Sequence, residues 1–123
     1  MPLPENVRVE FYVPHAEVLK RACLLVSHAG HGVVLKALYY GVPMVLVPWG
    51  RDQPGVAARA EALGVATVIP REGLSEVRLA EAVTAVFGNA SVPGRGAATF
   101  ETAASQNPVG VACQAIETLL NLV

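Results

Sequence analysis

The chain has 123 residues, 53% of them apolar, 6% aromatic and 15% charged, with a formal net charge of −1. With no Lys/Arg cluster, that balance argues against a nucleic-acid footprint, and the longest apolar runs are far too short for a membrane span. The size fits a single domain, 1–123, and Cys23 and Cys113, both in apolar segments, read as buried inert thiols of a cytoplasmic protein.

The opening M-P-L-P-E-N carries neither the charged nor the apolar region of a signal peptide. Residues 7–12 alternate and stop at Pro14, which predicts a short strand; Val13, before proline, should stay extended. Residues 16–22 predict a short helix that packs Val18 and Leu19 inward, and residues 23–26 a buried strand. After a glycine turn, residues 33–40 predict a helix that Gly41 stops and Pro43 keeps from resuming. Residues 44–47 read as a second buried strand closed by Pro48, and residues 54–63 as a helix ended by Gly64. A strand over 65–69 closes at Pro70. A helix then starts at Leu74, with Ser75 a candidate cap and Leu79, Ala82, Val83 and Val86 on its apolar face. Residues 97–105 give a weak helical signal. Residues 109–122 give a stronger one, with Val111, Ala115, Leu119 and Leu122 on one side. About four strands alternating with helices place the chain in the α/β class, with a Rossmann-like parallel sheet and flanking helices.

Residues 26–53 organise the rest. Strand, glycine turn, helix, strand and polar loop follow one another, as in half of a Rossmann fold. Such a turn sets a helix N-terminus at the carboxyl end of a strand, where free N–H groups and the helix dipole attract an anion. Gly30 and Gly32 lack side chains and admit a bulky anion, and His28 offers a further donor. Asp52 and Gln53 follow the next strand, so they open on the same edge, where carboxylate and amide suit sugar hydroxyls. The combination predicts a ligand with a phosphate end and a polyol end. The plainer alternatives are turn glycines, and for Asp52 and Gln53 a solvated loop or an N-cap ahead of Pro54. Tyr39 and Tyr40 read as helix packing.

The run H-A-G-H-G-V-V-L-K-A-L-Y-Y-G-V-P-M-V-L-V-P-W-G-R-D-Q resembles the donor-binding signature of UDP-glycosyltransferase-type enzymes of the GT-B fold. The similarity is greatest to the bacterial branch that glycosylates macrolides and other natural products. It extends to Phe11-Tyr12-Val13-Pro14-His15 before the signature and to residues 57–69 and 74–86 after it. The resemblance implies a fold that is part of a GT-B C-terminal domain. It implies that His28, Gly30, Gly32 and Val33 hold the donor diphosphate, and that Asp52, Gln53 and Trp49 meet the donor sugar. Tyr12, Val13 and His15 would meet the nucleoside. The implied reaction transfers a hexosyl group from a UDP- or dTDP-sugar to an acceptor hydroxyl with inversion. No cofactor or metal is implied; the nucleotide sugar is a co-substrate.

Three departures from the family pattern bear on donor affinity. Val33 replaces the usual Thr or Ser, Lys36 stands where many relatives have a ribose-binding glutamate, and His31 stands in a Trp or Ala position. The resemblance also implies that the N-terminal acceptor domain, with its catalytic base, and the first strand unit of the C-terminal domain lie outside this chain. The chain is therefore expected to contain no catalytic residue and to be inactive alone. It would serve as the donor part of a transferase, as the donor subunit of a two-chain transferase, or as a non-catalytic nucleotide-sugar-binding module. A strand stripped of its neighbours is expected to leave an exposed sheet edge, through which a homodimer can form.

Overall fold

Met44, Val45 and Leu46 form the central strand, and all three are fully buried. Successive strand residues point to opposite faces, so an unbroken apolar run needs cover on both. The computed structural model, which describes residues 2–88, 105 and 107–121, supplies that cover. Its elements are α1 (His15–Leu19), β1 (Leu25–Ser27), α2 (His31–Tyr39), β2 (Met44–Leu46), α3 (Gln53–Ala62), β3 (Ala66–Val68), a 3-10 turn η1 (Arg71–Gly73), α4 (Glu76–Gly88) and α5 (Pro108–Asn121). The strands form one parallel sheet in the order β1-β2-β3, with Leu25 opposite Met44 and Met44 opposite Ala66. Met44 and Leu46 pack with Leu19, Val34, Ala37, Ala57 and Ala60 of the first three helices. On the other face, Val45 and Val47 pack with Ile69 and with Ala82 and Val86 of α4.

The helix ends explain how the chain returns to the sheet. Gly41 and Gly64 adopt φ of 67° and 69°, a left-handed conformation that a Cβ disfavours. Past each glycine the next N–H reaches back into the helix: Val42 donates to the Ala37 carbonyl at 2.8 Å and Val65 to the Ala60 carbonyl at 3.1 Å. These are Schellman closures, and their apolar partners Val42, Ala37, Val65 and Ala60 are all buried. Each closure leads directly into a core strand. At α4, Ser75 acts as the expected cap: its Oγ accepts the Arg78 N–H at 3.2 Å, and the helix proper starts at Glu76.

The sheet has three strands, not the four expected. Residues 7–12 form no ladder, and Val9 is 73% exposed and Phe11 fully so. A short strand is held by its neighbours rather than by its own propensity, and no described strand lies beside this one. Within this segment Arg8 and Glu10, two apart, pair at 2.6 Å. β1 and β3 are the edge strands of this sheet, and β1 is the one left free on the side where the strand over 7–12 was expected. Leu25 donates to Pro43 and Ser27 accepts from Val47, both toward β2. The N–H and C=O of Val26, which alternates with them, point the other way.

Two further expectations fail. Cys23 and Cys113 are exposed, not buried. On α5, Val111 and Leu119 are exposed, and no described element covers that face. The weak helix at 97–105 lies outside the described residues apart from Ser105, which is helical. Tyr39 and Tyr40 do pack, as an edge-to-face pair 4.9 Å apart. Among the described residues, no helix is long and apolar enough to cross a membrane.

Candidate functional site: the carboxyl edge of the sheet

Parallel strands end on one edge, and Ser27, Leu46 and Val68 bring three loops out there. The first loop carries the glycine turn. Its left-handed residue is Ala29, with φ 68° and full burial, not a glycine. A Cβ in that conformation costs roughly 1–2 kcal/mol, which the packing around Ala29 must hold. Gly30, with φ −60°, is the N-cap of α2. A Cβ there would stand 2.9 Å from His28 Nε2, so the exposed imidazole would have to swing aside. The bare backbone lets the imidazole lie against the end of the helix.

α2 begins at His31, two residues earlier than expected. The first bond back into the turn is Val34 N–H to the Gly30 carbonyl, at 3.1 Å. The N–H groups of His31, Gly32 and Val33 therefore have no partner within the helix. No acidic side chain sits in this first turn to neutralise the dipole. A Cβ at Gly32 would meet nothing within 4 Å. Three unpaired N–H groups, the helix dipole, open space over Gly32 and the exposed His28 imidazole together favour an anion.

Two grooves adjoin this point. One, of about 450 Å³, runs between α1 and β1 and is lined by Val13, His15, Ser27, His28 and Val33, among others. The other, also about 450 Å³, is lined by Tyr12, Val13, His15 and Lys36 together with Glu10 and Phe11. The residues expected at the nucleoside thus lie beside those expected at the diphosphate, with Lys36 among them.

Trp49, Asp52 and Gln53 line neither groove. They sit in the second loop, further along the edge. Asp52 is exposed at the N-cap position of α3, and its carboxylate makes no capping bond. Gln53 is committed to the loop: its Oε1 accepts the Trp49 N–H at 2.8 Å and the Gly50 N–H at 3.2 Å. Only its Nε2 end takes no part in those bonds. Arg51, at φ 58°, completes the tight turn. The third loop adds a residue that sequence reasoning missed. Arg71 of η1 lies over the Trp49 ring, its Cζ 4.3 Å from the centroid. Its position just past a strand end was a usable signal, but its partner was not visible without the fold. Ala29 was missed because glycines stood next to it.

Comparison with known proteins bears on this arrangement. Residues 1–118 match the family described as Erythromycin biosynthesis protein CIII-like, C-terminal domain. The chain is 44% identical over 89 residues to a Bacillus subtilis (strain 168) protein named uncharacterized UDP-glucosyltransferase YojK, covering 72% of this chain and 22% of that one. The solved structure of the glycosyltransferase of kitacinnamycin superposes with a TM-score of 0.84 at 33% identity, covering 94% of this chain and 30% of that one. The structure of the glycosyltransferase VinC in complex with dTDP superposes with a TM-score of 0.73 at 32% identity, covering 77% and 24%. The chain spans less than a third of each of these proteins.

Proposed function

The chain belongs to the family of C-terminal domains of UDP-glycosyltransferase-type GT-B enzymes, and from that premise we propose that it is the nucleotide-sugar donor-binding part of a glycosyltransferase. The proposed reaction moves a hexosyl group from a UDP- or dTDP-sugar to an acceptor hydroxyl with inversion at the anomeric carbon. Residues 1–123 form one incomplete C-terminal domain, and an acceptor-binding domain or subunit completes the cleft.

The observation that carries this reading is the α2 N-terminus, where the N–H groups of His31, Gly32 and Val33 have no helix partner, a Cβ on Gly32 would meet nothing within 4 Å, and the His28 imidazole lies against Gly30. A diphosphate fits that chemistry. As the acceptor oxygen bonds to the anomeric carbon, the bond from that carbon to the phosphate oxygen breaks, and negative charge grows on the leaving diphosphate. Preformed N–H donors stabilise such charge without reorganising. The acceptor's proton passes to a base outside this chain. Tyr12, Val13 and His15 receive the nucleoside, Asp52 accepts hydrogen bonds from sugar hydroxyls, and the Nε2 amide of Gln53 donates. The dTDP complex of VinC supports a pyrimidine nucleoside diphosphate as ligand.

Isothermal titration of the purified chain with UDP, dTDP and their glucose conjugates tests the proposal. Saturable binding that His28→Ala weakens is expected, and silence at millimolar ligand overturns it. The chain alone should turn over no nucleotide sugar, and measured transfer to any acceptor would contradict that. The unpaired edge of β1 favours a second reading, in which the chain is the donor subunit of a two-chain transferase. A co-purifying polypeptide that restores turnover would establish it.

A further inference from the structure

We infer that Arg71, stacked on Trp49, determines how the site holds the sugar half of its donor; this rests on the donor-binding reading above. The pair joins two loops of the same edge. Trp49 follows β2, and its backbone N–H is held by Gln53 Oε1 at 2.8 Å. Arg71 follows β3 and lays its guanidinium over the Trp49 ring, 4.3 Å from the centroid. Arg71 is thereby linked, through one side chain and one hydrogen bond, to the residues proposed to meet sugar hydroxyls.

The stack is not core packing. Trp49 is 55% exposed, Arg71 is exposed, and neither belongs to either apolar cluster. Nor is the guanidinium used in an ion pair: among the described residues the ion pairs are Arg8 with Glu10 and Lys20 with Glu17. An exposed guanidinium outside both ion pairs keeps N–H donors available to oxygen acceptors. One face of the indole is also taken, so a sugar can use only the other face or the edge. Arg71 therefore does two things at the polyol end. It fixes the Trp49 ring, and it supplies a cation with several donors, which favours a hydroxyl-rich or anionic sugar. It plays no part at the diphosphate.

The test compares UDP with UDP-glucose, by titration calorimetry, on the unaltered chain and on R71A, R71K and W49A. An exposed cation–π contact with its attached hydrogen bonds corresponds to about a 3–10-fold change in Kd. R71A should weaken UDP-glucose by that factor and leave UDP within about twofold. R71K keeps the charge but loses the planar fork of donors, so it should also weaken UDP-glucose. W49A should weaken UDP-glucose at least as much as R71A, and the double variant should be no weaker than W49A alone, because Arg71 is held at the site through the Trp49 ring. Thermal melting guards against a folding effect, and all variants should melt with the unaltered chain. If UDP and UDP-glucose bind the unaltered chain and R71A shifts neither, or shifts both equally, the inference fails while the donor reading stands. If neither ligand binds the unaltered chain, the donor reading fails and takes this inference with it.

Discussion

Gly32→Ala separates stability from binding at the centre of the site. Gly32 is the second residue of α2, is exposed, and has room for a Cβ with no atom within 4 Å. Alanine is the better helix former by roughly 0.8–1 kcal/mol in an interior, and it lowers the entropy of the unfolded chain. Near a helix end, about 0.5–1 kcal/mol of net stabilisation is expected, or about 2–6 °C in melting temperature for a domain of this size. In the proposed complex the added methyl, tilted toward the helix N-terminus, competes with phosphate for the space beside the N–H groups of His31, Gly32 and Val33. Displacing a phosphate oxygen from one such donor removes a charge-assisted bond of roughly 1.5–3 kcal/mol. UDP and dTDP should therefore bind on the order of tenfold or more weakly. Melting followed by circular dichroism and titration calorimetry on the same preparations read both effects. A stabilised variant that binds as tightly as the parent would refute the placement of phosphate over Gly32, and a destabilised one would refute the helical setting of this residue.

Two further predictions follow from the same geometry. Gln53→Ala removes the acceptor of two loop N–H groups, from Trp49 and Gly50, and should destabilise the chain by about 1–2 kcal/mol in urea denaturation. If denaturation is unchanged, the bonds to Oε1 do not hold this loop. Val26→Lys places a charge on the free edge of β1, where Val26 is 48% exposed, and should abolish any concentration-dependent self-association seen by sedimentation velocity. An unaltered association constant would place the contact elsewhere, for example on α5.

Much of the fold was readable from local chemistry. Gly41 and Gly64 predict helix ends because few other residues accept a left-handed φ, and both helices close there. The apolar run at Met44 predicts a strand covered on both faces, and α4 with α2 and α3 provides the cover. The failures share a cause. Residues 7–12 carry a correct strand pattern, and α5 a correct amphipathic one, but pattern only states what a segment would bury. Whether something is there to bury it against depends on the rest of the fold, and neither Phe11 nor Leu119 finds a described partner.

The candidate site divides along the same line. At the proposed phosphate end the unpaired N–H groups were legible because backbone supplies them: a glycine pair before a helix predicts them whatever the side chains do. Only the helix start moved, from residue 33 to His31. The polyol end was less legible, because an amide side chain suits a sugar hydroxyl and a backbone N–H equally well. Gln53 shows that ambiguity resolved in favour of the loop for its oxygen, and Trp49 shows one ring face given to Arg71. At the α2 N-terminus the N–H groups of His31, Gly32 and Val33 have no helix partner, so a ligand proposed there displaces no protein contact. At the polyol end a ligand must share groups already engaged with one another. Affinity for the donor should accordingly come from the diphosphate, and discrimination between sugars from the loop that carries Trp49, Asp52 and Gln53.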